Sequence, residues 1–119
     1  MSDPNAELSA KLVEIKFDYL RRLRDEWLLG LESFRALPFT SWSKEQLEKM
    51  VFHAHSATGS GAIFGYKTLS DHARELEDLT RMLVGQAEPM SETQHSEMVR
   101  LVDQLQATCL EAMKDLKLS

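Results

Sequence analysis

Residues 43–65 read SKEQLEKMVFHAHSATGSGAIFG, and this stretch decides the fold. It opens on a capping box, in which Ser43 and Gln46 stand three residues apart and satisfy each other's backbone donors. Leu47, Met50, Val51, Ala54 and Thr58 then recur at helical spacing, so a helix is predicted from Ser43 towards Gly65. No part of the chain alternates with the period of two that marks a half-buried strand.

Working outward, the same logic finds three more helical segments. The first runs from Asp3 to Leu37. Asp3 followed by Pro4 reads as an N-cap with proline at the first helical position, and Pro38 stops the pattern. Leu8, Leu12, Ile15 and Tyr19 make one stripe, and Leu20, Leu23, Trp27, Leu31 and Phe34 a second, slightly rotated one. At roughly 34 residues the segment is long for a globular helix, and Gly30 is the candidate for a kink. The third segment, Tyr66 to Val84, carries Leu69, Ala73, Leu76, Leu79 and Leu83, with Gly85 where a C′ glycine belongs. The fourth opens on a second capping box, Ser91 with Gln94, and continues to Leu116. Short connections make neighbouring helices antiparallel. The expected fold is all-α: an antiparallel up-down-up-down four-helix bundle with a long N-terminal helix, residues 1–119 forming a single domain.

Composition agrees. The chain has 119 residues, enough for one core without metal or disulfide staples. Five glycines and three prolines are too few for a fold of many short strands and turns. Fourteen basic residues against nineteen acidic ones give a net charge of −5, which argues against a nucleic-acid binder. A single cysteine, Cys109, has no internal disulfide partner and reads as an inert core thiol. No apolar run approaches the ~18 residues of a membrane span, and the N-terminus lacks the pattern of a signal peptide. A soluble, cytoplasmic protein is expected, a monomer rather than a dimer. Met50, Met82, Met98 and Met113 read as core filler, and His72 and His95 as helix-surface histidines.

One part of the opening stretch is not ordinary bundle filler. Between Phe52 and Gly65 lie three glycines, two histidines and several hydroxyl residues. Each glycine in a helix interior costs about 1 kcal/mol relative to alanine. Gly59 and Gly61, so close together, point to close approach of something at that surface. With Leu47 set towards the core, His55 falls at about +80°, Gly59 at about +120° and Phe52 at about +140° around the helix. His55 is then a boundary residue whose ring reaches solvent, with glycine and an apolar ring beside it. His53 diverges from it by about 200°, so the two cannot chelate one metal ion. No two of the four histidines stand at i, i+3 or i, i+4, leaving only a metal site assembled from several helices. A neutral imidazole near pH 7 is a competent nucleophile and can be phosphorylated on nitrogen.

These residues resemble a known signature. His55, Gly59 four residues on, small residues, Gly65 ten residues on, then Leu69 and the Leu76-Glu77 pair are similar to histidine-containing phosphotransfer (HPt) domains, nearest to those of chemotaxis-type histidine kinases. The resemblance implies that His55 is the phosphoacceptor. It implies that Gly59 leaves clearance for a docked partner, with Phe52 and Ser56 on the contact surface. Glu77 matches the carboxylate that orients the imidazole, with Arg74 one turn before it as a candidate ion-pair partner. The chain departs from the family pattern at Thr58, where many members carry a lysine; Lys67 or Arg74 is the candidate substitute for the missing charge. Implied partners are response-regulator receiver domains and a sensor histidine kinase, with Mg²⁺ coming from the receiver and no cofactor or metal held by this chain. The lack of any ATP-binding signature fits a phosphocarrier, not a kinase. Two alternatives stay open: a degenerate docking module that binds kinase or receiver without being phosphorylated, and a structural or dimerisation bundle built on the long first helix.

Overall fold

The computed structural model describes residues 4–118. All of its regular structure is helical, and the helices gather into a bundle. The first segment comprises α1 (Pro4–Arg22), a π-helical turn (Leu23–Trp27) and α2 (Leu28–Ala36), with no non-helical residue between them. A short 3₁₀ turn (Phe39–Ser41) leads to α3 (Lys44–Ile63), followed by α4 (Lys67–Gly85) and α5 (Glu92–Met113). The chain closes on a 3₁₀ turn, Lys114–Leu118. Asp3, expected as the first N-cap, lies outside the described residues.

The start and stop signals act much as their chemistry requires. Ser43 Oγ accepts from the Gln46 N–H, but the expected box is only half formed, because the Ser43 N–H donates to the Ser41 carbonyl at 3.0 Å instead; at α5 both halves of the Ser91–Gln94 box form. Leu37, the residue before Pro38, is already extended and ends α2. Gly65 adopts φ +83° and turns the chain from α3 into α4, a conformation that favours glycine. Gly85, by contrast, is simply the last residue of α4. The left-handed C′ role expected of it is not taken, because Gln86 leaves the helix in extended conformation.

α3 packs along α4, α4 along α5, and α2 and the π turn against α5. Leu20, Leu31, Met50, Leu69, Leu76, Met98, Val102, Leu105 and Cys109 are fully buried. Three expectations about burial change. Leu8, Leu12 and Ile15 stand exposed, since the first twelve described residues of α1 run beyond the bundle. Met82 is also exposed, while Met90, in the loop before α5, is buried in its stead. His72 and His95 are both half-buried: His72 Nδ1 lies 2.7 Å from Thr108 Oγ1, and the His95 ring packs on Phe39.

The irregularity of the first segment is the π turn, not Gly30. Gly30 serves another need: a Cβ there would lie 2.7 Å from His53 Cε1. That clearance lets the His53 ring stack on Trp27 at 4.5 Å and 3°. Each residue also binds the other's backbone, His53 Nε2–H donating to the Trp27 carbonyl at 3.2 Å and Trp27 Nε1–H to the His53 carbonyl at 3.4 Å. Burial holds the His53 imidazole below its ordinary pKa, and the bond to Trp27 opposes this only in part. A groove of about 850 Å³ opens beside this tie, lined by Tyr19, Trp27, Phe34 and Phe52 among others.

Candidate functional site

The site stands on α3 and α4. The buried face of α3 is Leu47, Met50, Ala54, Ala57 and Gly61. Its centre lies roughly 40° from the direction of Leu47, on the side away from Val51 and Thr58. The rotation turns Phe52 and His55 further out: Phe52 is 77% exposed, and the His55 side chain 67%. The three glycines of the motif separate by role. A Cβ on Gly59 would meet nothing within 4 Å, so no contact among the described residues demands glycine there. One on Gly61 would lie 3.0 Å from Leu69 Cδ2 and 3.1 Å from the Ser70 backbone nitrogen. Gly61 therefore serves the close approach of α3 to α4, and Gly65 the turn between them.

α4 brings a carboxylate to the imidazole. Glu77 is 8% exposed and its Oε2 lies 3.0 Å from His55 Nδ1. A carboxylate can only accept, so Nδ1 carries the hydrogen, and in the neutral ring the lone pair is on Nε2, directed away from Glu77. Glu77 Oε2 also accepts from Arg81 Nε at 2.9 Å, and Arg81 Nη2 lies 2.7 Å from the same oxygen. Burial pushes the Glu77 carboxyl up; the hydrogen bonds from Arg81 and His55 outweigh it and hold the group below the ordinary glutamate range. Glu77 is therefore a carboxylate at neutral pH.

The expected site residues thus fall into two groups. His55, Glu77 and Thr58 converge: the Thr58 hydroxyl donates to the Ala54 carbonyl at 2.9 Å and stands 3.5 Å from Glu77 Oε1. It is half-buried and brings no charge. Phe52, Ser56 and Gly59 lie together on the exposed side. Neither cation suggested by the sequence reaches His55 or Glu77. Lys67 Nζ pairs with Asp71 at 2.9 Å, and the guanidinium on Glu77 is that of Arg81, not Arg74.

Two residues of this surface escape a reading centred on the histidine motif. Ile63, 79% exposed, lies eleven residues after Phe52. Eleven residues are close to three helical turns, so Phe52, Gly59 and Ile63 form one line along α3, with His55 and Ser56 on its two flanks. Arg81 is the other, and its signal was present: a glutamate four residues N-terminal to an arginine is the favourable orientation of a helical ion pair. Among the described residues no three His, Cys, Asp or Glu side chains come together as a metal site, and no helix is long and apolar enough to cross a membrane.

The family model of the Hpt domain matches residues 16–109, which include all of this geometry. The chain belongs to the Hpt domain family. Hpt domains are phosphocarrier modules that take part in histidine phosphotransfer in two-component signalling, where they interact with kinases and receiver domains. The match begins at Lys16, where α1 passes from its exposed stretch into the bundle. No curated protein and no solved structure matches the chain.

Proposed function

We propose that this Hpt domain is a phosphocarrier between a kinase or receiver aspartate and the aspartate of a response regulator, with His55 Nε2 as the acceptor atom. The observation that carries the reading is the pairing of an exposed imidazole with a buried carboxylate on Nδ1. Nε2 attacks phosphorus in line with its lone pair, and the bond from phosphorus to the aspartyl oxygen breaks. The carboxylate leaves with its electrons. Because Nδ1 keeps its hydrogen, the ring becomes cationic as the N–P bond forms, and Glu77 stabilises that charge across a hydrogen bond already in place. Transfer onward reverses the step. Mg²⁺ belongs to the receiver in this scheme.

Gly59 gives the receiver room, and Phe52, Ser56 and Ile63 supply contact area around the acceptor. We read the bundle as antiparallel up-down-up-down, since only residues 64–66 and 86–91 join its last three helices. The carrier acts as a cytoplasmic monomer. Incubation with a phosphorylated receiver tests the reading. Acid-labile phosphate is expected on the wild type and absent from His55→Gln. Equal labelling of the two would remove His55 from the mechanism. No labelling of either, with binding retained and abolished by Phe52→Ala, would favour a docking module.

A further inference from the structure

The phosphoryl group creates an electrostatic problem at this site. On His55 it stands beside Glu77, and the two are like charges on either side of one imidazole ring. Thr58 offers a hydroxyl already donating to Ala54, and Lys49 and Lys67 are paired with Glu45 and Asp71. Arg81 alone among these cations touches Glu77. Its Nη2 and His55 Nδ1 share one oxygen of Glu77, which keeps the guanidinium within about 6 Å of the ring nitrogen, inside the range where charges act strongly on each other. Its side chain is 55% exposed and holds Glu77 through Nε and Nη2, leaving the Nη1 end of the fork uncommitted among the described residues.

We infer that Arg81 is the cation of the phosphorylated site: it holds Glu77 through Nε and turns Nη1 towards the phosphoryl oxygens, taking the part that a lysine at position 58 would play. The inference rests on the reading of His55 as phosphoacceptor. A planar fork suits this double duty, since it can present two donors to a carboxylate and a third to a phosphate at once. An ammonium on α3 would instead reach the phosphoryl group directly and leave Glu77 alone. The chain has moved the charge from the helix of the acceptor to the helix of its carboxylate.

Phosphoramidate, a small donor that transfers its phosphoryl group to histidine and releases ammonia, tests this without a protein partner. The rates of His55 phosphorylation are compared for wild type, Arg81→Ala, Arg81→Lys and the double variant Arg81→Ala/Thr58→Lys, with the His55 tautomer followed by ¹⁵N NMR. Arg81→Ala is expected to slow the reaction on the order of tenfold, a value already reduced for solvent exposure. Arg81→Lys and the double variant are expected to regain most of the rate, and the Nδ1–H tautomer to persist throughout. A rate for Arg81→Ala within twofold of wild type overturns the inference alone. So does a loss of the Nδ1–H tautomer in Arg81→Ala together with a rate that Thr58→Lys fails to restore, since Arg81 would then only hold Glu77. No phosphohistidine in the wild type overturns the reading of His55, and the inference with it.

Discussion

Gly59 and Gly61 stand two residues apart in one helix, and replacing each with alanine should move stability in opposite directions. In a helix interior alanine is favoured over glycine by about 1 kcal/mol. At Gly59 nothing opposes that gain, because the new methyl group meets no atom within 4 Å. Gly59→Ala should therefore stabilise the fold by about 0.5–1 kcal/mol and raise Tm by roughly 2–5 °C for a chain of this size. At Gly61 the same methyl group would sit 3.0 Å from Leu69 Cδ2, 3.1 Å from the Ser70 nitrogen and 3.2 Å from the Tyr66 carbonyl oxygen. Two of these are backbone atoms, so α4 itself must retreat, and overpacking of this kind costs about 1–3 kcal/mol. Gly61→Ala should lower Tm by a few degrees, roughly the remainder after the helix-propensity gain. Thermal melts followed by circular dichroism measure both. The functional arm uses Gly59→Gln, whose longer side chain fills the space above the helix. It should fold as well as wild type and receive phosphate from a receiver at least about tenfold more slowly, a loss of the size that a blocked central contact produces. A lower Tm for Gly59→Ala, or an unaltered transfer rate for Gly59→Gln, would refute the argument that this glycine is kept for a partner and not for the fold.

Phe52→Ala and Ile63→Ala should leave Tm within a degree or two, since both side chains are exposed, yet weaken receiver binding by about 5–30-fold in calorimetric titration. Unchanged affinity in both would remove the line along α3 from the docking surface. Gly30→Ala drives a methyl group into the His53 ring and should destabilise by about 1–2 kcal/mol; adding His53→Ala should recover part of this, and strict additivity in urea melts would show that the two sites are not coupled. His53 also sets a pH dependence. Its folded pKa lies below the ordinary value, so the unfolded chain binds the proton more readily and stability falls as pH drops through about 6.5. Glu77 acts in a separate, more acidic window, its contribution being lost as pH falls through its lowered folded value. His53→Gln should flatten the urea midpoint between pH 7 and 6 while leaving the acid limb in place, and an unchanged slope would exclude His53 as its source.

Where a feature depends on neighbours along the chain, the sequence carries it. The caps at Ser43 and Ser91, the stop before Pro38 and the turn at Gly65 each depend on a few adjacent residues, and each lies where local chemistry puts it. The motif around His55 also placed Glu77 beside the ring, though the two are 22 residues apart. Features that depend on how helices meet were less legible. Leu47 alone sets the face of α3 about 40° from its true centre, because Met50, Ala57 and Gly61 together pull that face round. The stripe Leu8, Leu12 and Ile15 has the periodicity of a buried face, but periodicity does not say whether another helix extends far enough to cover it. Gly30 looked like a point of weakness because the cost of glycine in a helix is visible in sequence. The ring it accommodates belongs to another helix and is not.

The π turn at Leu23–Trp27 sets how the buried residues after it line up with those at the end of α1. A π turn takes up one residue more than an α turn, and so works as a phase shift of about 100° between the helix before it and the helix after it. Deleting one exposed residue there, such as Asp25, would let the turn relax to α geometry and rotate everything upstream by that angle. Tyr19 would swing off Phe64, on which it now stacks at 4.5 Å, and Leu20 would leave the core. The direction in which the exposed end of α1 presents Leu8, Leu12 and Ile15 is therefore written not in that end but in the length of a single turn downstream, where one codon gained or lost would re-aim it.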